Sequence, residues 1–260
     1  RAFELGERCN DPLIATLSLS GVALGLLQAG RAQEAQPTIE RAMRLSKDSG
    51  LAGSAVHANI LNLAAQIAQR CGRLDEARQL FPAGLTLATA LGDDDTAMHI
   101  RLNMAELEFH MGSLAQALEL ARAVEVETRG TRRTRDAISA LVNGAAYRIA
   151  LDDISGARAA AHDALRLGRG EEALAVAIAI QHLATVAALR NDPHRGARLR
   201  GYVDAWYRNQ GYEREFTEQR TYEILMTALH EKLTAAELGA LTAEGSQLSE
   251  DQAIAEALAI

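Results

Sequence analysis

Apolar residues recur along this chain at helical spacing, in runs that short polar or glycine-containing breaks separate. The breaks include Gly72 and Gly112, which suit helix ends, and Pro193 suits a first helical turn, where its missing N–H is not needed. The pattern predicts ten helices, at about 12–29, 32–49, 51–70, 74–91, 96–111, 114–128, 135–151, 154–167, 171–190 and 193–210.

These helices fall into pairs with an internal repeat. Five alanines recur at spacings of 42, 40, 40 and 40 residues, at Ala35, Ala77, Ala117, Ala157 and Ala197. Small residues also recur seven positions before each turn, at Ala23, Ala65, Ala105 and Ala145, with Thr185 or Ala184 in the fifth pair. A fixed period of this length predicts a stacked array of helical hairpins in which the small residues let paired helices approach closely.

The pattern changes after Gly211. An amphipathic helix is predicted at about 216–233, followed by short helices at about 234–243 and 249–258. Thr234 with Glu237, and Ser249 with Gln252, have the spacing of capping boxes. We therefore predict a repeat array over 1–211, whose first residues are the tail of a truncated preceding repeat, and a C-terminal helical cap over 212–260 packed on the last repeat.

Composition narrows the class of function. The chain of 260 residues is 48% hydrophobic and only 4% aromatic, with a net charge of −7 and a pI of about 5.6. An acidic chain is a poor candidate for direct nucleic-acid binding, which draws on Lys and Arg. No apolar run is long enough for a membrane helix, and no secretory signal is visible. Cys9 and Cys71 form no metal-like cluster, so we expect reduced thiols in a cytoplasmic protein.

Motifs for catalysis are missing from the sequence. The seven histidines form no HxxxH or HExxH pair, and the serines form no GxSxG turn. There is also no GxxxxGK[ST] phosphate loop and no recognisable helix-turn-helix. We therefore expect no enzyme activity, no catalytic residue, no metal and no cofactor.

The repeat phrases resemble the tetratricopeptide repeat. In the third unit, Asn103 precedes Ala105, and Gly112 and Ala117 follow at the motif's spacing. The second unit has Asn62, and the fourth has Asn143 but carries Asp152 in place of the turn glycine. The period of about 40 exceeds the usual period of about 34, which implies longer helices. The resemblance implies an all-α fold, a right-handed superhelix of about five hairpins with a C-terminal helical cap.

The C-terminal part resembles a narrower group. Residues 197–211 and 233–258 are similar to the closing segment of large bacterial STAND ATPase regulators. Such proteins carry LuxR-type or winged-helix DNA-binding domains, or nucleotide cyclase domains. The resemblance implies that this chain is their sensing or scaffold arm, with ATP binding and transcription regulation placed in other parts of the polypeptide.

Two sets of residues are candidates for binding. In tetratricopeptide arrays the first helix of each pair lines a concave groove, where we place Asn62, Arg101, Asn103, Glu106, Asn143 and Tyr147, with Arg148 beside them. The alternative for the asparagines is an inter-helix hydrogen bond or a solvated position. A basic run, Arg129, Arg132, Arg133 and Arg135, is either a solvated connector or a contact with an acidic patch on another domain.

Two further clusters have structural interpretations. Arg195, Arg198 and Arg200 are expected to balance nearby carboxylates. Tyr202, Trp206, Tyr207 and Tyr212 are expected to plug the last repeat against the cap, with ligand stacking as the alternative.

The sequence thus predicts a non-catalytic arm of a larger bacterial signalling regulator. It would bind a protein, a peptide or a small effector, and contact upstream domains of the same polypeptide. The alternatives are a self-assembly scaffold that forms a homo-oligomer, and a free-standing peptide-binding repeat protein.

Overall fold

The computed structural model describes residues 11–260, and this part of the chain contains thirteen α-helices and no strand. Cys9 and the predicted tail of a preceding repeat lie largely outside the described residues. In chain order the helices are α1 (Pro12–Gln28), α2 (Ala32–Asp48), α3 (Ala55–Arg70), α4 (Leu74–Ala90), α5 (Asp94–His110), α6 (Leu114–Thr128), α7 (Thr134–Ala150), α8 (Ile154–Gly168), α9 (Ala173–Leu189), α10 (Pro193–Gln210), α11 (Phe216–Lys232), α12 (Ala235–Gly245) and α13 (Glu250–Leu258).

The chain divides into two compact units. Unit 1 is Arg1–Leu107 and unit 2 is Glu108–Ile260, so the division falls within α5 and not at residue 211. In unit 1, α1 packs on α2, α2 on α3 and α3 on α4. Its core includes Leu19, Ile39, Ile60 and Ile67, which are almost completely buried.

The repeated small residues are the contact points of the hairpins. All are fully buried: Ala23, Ala35, Ala65, Ala77, Ala105, Ala117, Ala145, Ala157, Ala184, Thr185 and Ala197. Side chains of this size leave room for two helix backbones to approach, which confirms the interpretation of the repeat.

The turn after the first helix of each pair has a left-handed residue at one position. Gly30, Gly72 and Gly112 have φ values of 72°, 77° and 83° there. In the fourth and fifth pairs Asp152 (φ 60°) and Asn191 (φ 74°) adopt the same conformation. Asn and Asp tolerate this region better than other non-glycine residues, so the same turn conformation forms without glycine in these two pairs.

Unit 2 continues the hairpins and adds the C-terminal helices to the same core. The pairs α7/α8 and α9/α10 pack within themselves and on each other, and α12 packs on α10. One hydrophobic cluster runs from Ile138 on α7 through Leu183 on α9 to Leu225 on α11 and Ile254 on α13. The predicted capping boxes at Thr234 and Ser249 are both present.

Helix α11 differs from the predicted cap. It packs on α9 and also reaches α7, and its first residue, Phe216, contacts the end of α5. The Phe216 ring lies 3.9 Å from that of His110 and 6.2 Å from that of Phe109, centroid to centroid. The C-terminal segment therefore contacts the first helix of three successive pairs and is not confined to the last repeat.

None of the described helices combines the length and the apolar character that a membrane-spanning helix needs.

Candidate functional site

The best-formed polar pair on the predicted binding face lies in unit 1. Asn103 on α5 donates a hydrogen bond from Nδ2 to Oδ1 of Asn62 on α3, over 2.9 Å. Both residues are half-buried. Thr96 Oγ1, two turns before Asn103, lies 3.5 Å from Oδ1 of Asn59, one turn before Asn62. The structure thus shows the inter-helix hydrogen bond that the sequence left as an alternative.

Two charged residues accompany this pair on α5. Arg101 and Glu106 are half-exposed, and each takes part in further polar interactions. Glu106 lies three residues after Asn103 and so neighbours it on the same face of the helix, whereas Arg101, two residues before it, lies on a different face.

The predicted face is different in unit 2. Asn143 on α7 is half-buried, whereas Tyr147 is fully buried and packs on Phe109 with ring centroids 4.8 Å apart. The expectation that Tyr147 lines an open groove is therefore wrong, because the aromatic ring belongs to the interior of the unit. Arg148, expected to extend the same surface, is buried as well.

Arg148 forms a buried ion pair. Its Nη1 and Nη2 lie 3.1 and 3.3 Å from the carboxylate oxygens of Glu125 on α6, and the two side chains are only 8% and 15% exposed. Gly144, one turn earlier on α7, makes room for the pair. A Cβ atom there would come within 2.6 Å of Arg148 Nη1 and 2.7 Å of Glu125 Oε1.

A cleft of about 580 Å³ opens beside this ion pair, between α6, α7 and α8. Its walls carry Arg122, Arg129, Arg148 and Arg166 together with Glu125, Asp153 and Asp163. Apolar side chains of Ala137, Leu141, Ala160 and Leu167 complete it. The sequence named two of its lining residues, Arg129 and Arg148, but assigned them to different surfaces and did not predict the cleft. A local signal for it was a glycine in the middle of a predicted helix.

The four arginines of the predicted basic run have different surroundings in the structure. Arg129 lines the cleft, and Arg132 is exposed in the same loop. Arg135 pairs with Glu172 over 2.6 Å, and Arg133 is half-buried with a polar partner. The four residues do not form one continuous patch of unpaired charge.

The aromatic cluster at the end of α10 meets the C-terminal segment around Arg214. Its guanidinium donates to Asp204 (2.6 Å) and Gln181 (2.7 Å), and it lies 4.6 and 4.0 Å from the rings of Tyr207 and Tyr222. Tyr202 and Tyr207 are buried, Trp206 is half-buried, and Tyr212 stacks on Trp206 from the exposed side. The two tyrosines therefore plug the junction as expected, while Trp206 and Tyr212 lie at its edge.

Burial also changes the acid–base properties of this junction. It raises the pKa of Tyr207 and the pKa of Glu218. The Tyr207 hydroxyl donates a hydrogen bond to Glu218 over 3.3 Å. The neighbouring Glu215 carboxylate also raises both pKa values. Burial raises the pKa of Tyr202 to about 12, with a contribution from Glu250. These groups therefore stay protonated to a higher pH than in water, which suits a packed interior.

The basic residues predicted to balance carboxylates on α10 form ion pairs. Arg198 lies 2.5 Å from Glu256, Arg200 lies 2.9 Å from Asp204, and Arg195 lies 3.4 Å from Asp192, so this set balances carboxylates as expected. Within residues 11–260 no group of three or more His, Cys, Asp or Glu side chains is arranged to hold a metal ion. Cys71 is a free thiol packed against the unit 1 core.

Comparison with known proteins identifies the fold. No protein-family model matches the chain, and no curated protein matches it. Two solved structures of a kinesin light chain-like protein from Podosopora anserina, with nearly identical TPR-like repeats, do match. One, a variant, has a TM-score of 0.61 and 14% identity, over 75% of this chain and 95% of that chain. The other has a TM-score of 0.56 and 13% identity, over 84% and 96%. The chain therefore has a TPR-like helical-repeat fold.

Proposed function

We propose that this chain is a non-catalytic recognition module that binds a protein or peptide, and that it is the sensing arm of a larger bacterial signalling regulator in the cytoplasm. The observation that supports it best is the half-exposed amide pair of Asn62 and Asn103. A solenoid of helical hairpins offers long surfaces for partners, and polar side chains on neighbouring first helices are suited to that role.

The chemistry of the pair fits an extended peptide. Once Asn103 Nδ2 has donated to Asn62 Oδ1, the remaining N–H groups of Asn62 can donate and Asn103 Oδ1 can accept. One donor and one acceptor side by side complement the C=O and N–H of a peptide backbone. Glu106, one turn after Asn103, would add charge selectivity along the peptide.

The test is to select peptides by display against the full chain and to measure their binding to variants. We expect Asn62→Ala combined with Asn103→Ala to weaken a selected peptide about tenfold or more, with an unchanged melting temperature. Asn209→Ala, an exposed asparagine at the end of α10, is the matched control and should bind as the parent does. Equal losses of binding and of stability, or no loss of binding, would contradict the proposal.

The regulator context has a separate test. We expect the reading frame upstream of Arg1 to encode a phosphate-loop ATPase module together with a DNA-binding or cyclase domain. A start codon close to Arg1 would contradict this part and favour a free-standing peptide-binding repeat protein.

Self-assembly is a second candidate, favoured by the surface of α1. Leu13, Ile14, Leu17 and Leu24 are 41%, 45%, 50% and 42% exposed and lie towards one side of that helix. A helix whose apolar face is exposed among the described residues is suited to a second copy of the chain. We expect Leu17→Asp with Leu24→Asp to abolish any concentration-dependent rise in mass during sedimentation. A monomer at all concentrations in the parent protein would exclude this candidate.

A further inference from the structure

The cleft between α6, α7 and α8 has the dimensions of a small-molecule site. Its volume of about 580 Å³ lies within the range of about 300–1,000 Å³ that is typical of ligand pockets. All its lining residues belong to unit 2, whereas the amide pair belongs to unit 1. Ligand binding in the cleft and peptide binding at the amide pair are therefore separate properties of the chain.

The charges around the cleft are not balanced. Glu125 is paired with Arg148, and Asp163 with Arg166 over 3.1 Å. Asp153 accepts a hydrogen bond from the Gly156 amide at the start of α8. Arg122 on α6 and Arg129 in the following loop have no carboxylate partner among the described residues. The lining therefore has four arginines against three carboxylates, a net charge of +1, in a protein whose net charge is −7.

The buried part of the site is built at a cost to the helix. Gly144 lies in the middle of α7, where glycine is less favourable than alanine. Its missing side chain is what lets the Arg148–Glu125 pair occupy its position at the wall of the cleft. Asp153 likewise occupies the space that a Cβ atom of residue 156 would need. Two helical glycines therefore clear space for charged groups of the same cleft.

Apart from the Asp163–Arg166 ion pair on α8, the other walls are apolar or carry hydroxyl groups. Ala137 and Leu141 on α7 face the cleft together with Ala160 and Leu167 on α8, and Thr131 and Thr134 supply hydroxyls near Arg129. A ligand that fills such a space needs an apolar body with an oxyanion at the end near the arginines. Guanidinium groups bind carboxylate and phosphate oxygens through paired hydrogen bonds.

We propose that this cleft binds a small amphipathic oxyanion, an apolar molecule that carries one carboxylate or phosphate group. Arg122 and Arg129 hold the oxyanion, Arg148 adds fixed positive charge at the wall, and the α7 and α8 side chains cover the apolar body. Because the loop that carries Arg129 connects α6 to α7, an occupied cleft also fixes the end of one helical pair against the start of the next.

The first experiment measures the binding of three matched probes to the full chain by isothermal titration calorimetry and ligand-observed NMR. Naphthoate and naphthyl phosphate carry the two oxyanions, and naphthamide is neutral with the same apolar body. We expect the anions to bind one per chain and at least about tenfold more tightly than the amide. The tighter of the two anions identifies the source as a carboxylate or a phosphate. Equal binding of the amide, or no binding of either anion at millimolar concentration, overturns the proposal.

The second experiment assigns the binding to the cleft. Arg122→Gln combined with Arg129→Gln should abolish the preference for the anions, while the melting temperature stays constant because both side chains are exposed. Arg132→Gln is the matched control, since Arg132 lies in the same exposed loop but does not line the cleft. Unchanged anion binding in the double variant, or an equal loss in the control, overturns the assignment.

Discussion

The Phe216 ring stacks on the His110 imidazole, with centroids 3.9 Å apart and planes 27° from parallel. Through this contact the first turn of α11 is attached to the last turn of α5, more than 100 residues earlier in the chain. Phe109 and Tyr147 continue the aromatic contact into the interior of unit 2. The C-terminal segment therefore packs together with the repeats that it contacts.

Removing the Phe216 ring should destabilise unit 2. Because Phe216 is 36% exposed, we expect Phe216→Ala to lower the free energy of unfolding by about 1–2 kcal/mol, less than the loss of a fully buried ring. Chemical denaturation checks this. Val126→Ala, at a side chain that is 68% exposed, is the control and should change stability by less than about 0.5 kcal/mol. Equal effects of the two changes would show that the ring contributes no packing.

Two glycine-to-alanine substitutions should change the stability of the fold in opposite directions. Gly112 has a φ of 83°, so Gly112→Ala should cost about 1 kcal/mol or more, whereas Gly112→Asn should cost less because Asn191 adopts this conformation in the fifth pair. Gly239 lies inside α12 with no atom near its missing side chain, so Gly239→Ala should stabilise by up to about 1 kcal/mol. Thermal unfolding of the three variants tests the prediction. A stabilising Gly112→Ala would contradict the left-handed turn.

The buried ion pair should behave as a unit. Arg148→Met leaves the Glu125 carboxylate without its partner at a buried site, and we expect a loss of about 3 kcal/mol. Adding Glu125→Leu should restore most of that stability, because no uncompensated charge remains. A double-mutant cycle in urea measures the coupling. Additive losses would show that the two side chains do not interact.

His182 should make stability depend on pH. Burial lowers its pKa from 6.5 to about 4 in the folded chain, and the nearby Val142 backbone partly opposes the shift. Between these pH values the unfolded chain therefore binds more protons at this residue than the folded chain does. The contribution of His182 to the free energy of unfolding is complete above pH 6.5 and is lost as the pH falls towards 4. The shift corresponds to a loss on the order of 3 kcal/mol.

Comparison with His182→Leu isolates this effect. We expect the parent to lose more stability than the variant when urea unfolding is moved from neutral pH to the middle of the interval between 6.5 and 4. Burial also lowers the pKa of His57 and His162, and those histidines remain in both proteins. Identical pH dependence of parent and variant would contradict the prediction.

The helices and their pairing could be predicted from sequence because they rest on local rules. Glycines at helix ends, prolines in first turns and small residues at a fixed period allow most helix ends to be predicted to within one or two residues. The first helix of the second pair begins at Ala55 and not near 51, because Ser54 caps it through the His57 amide. Such an N-cap is a local signal that apolar periodicity alone does not resolve.

The candidate sites were less predictable because they depend on contacts between distant residues. The hydrogen bond between Asn62 and Asn103 was one of three interpretations of the repeated asparagine, beside partner binding and a solvated position. The burial of Tyr147 depends on Phe109 and on the path of α11, which no local pattern indicates. The Arg148–Glu125 pair joins residues 23 positions apart on different helices, and Gly144 was its one trace in the sequence.

The shared core of unit 2 also bears on how the protein would respond to proteases. Residues 212–215 between α10 and α11 are the non-helical link to the last three helices, and Tyr212 and Glu213 in it are exposed. A cut there would break the chain but not the packing of Leu225, Leu229 and Ile254 among the residues of α7–α10. The two fragments should therefore stay together through gel filtration and separate only in denaturant. A single peptide bond is thus not what keeps the C-terminal helices in place.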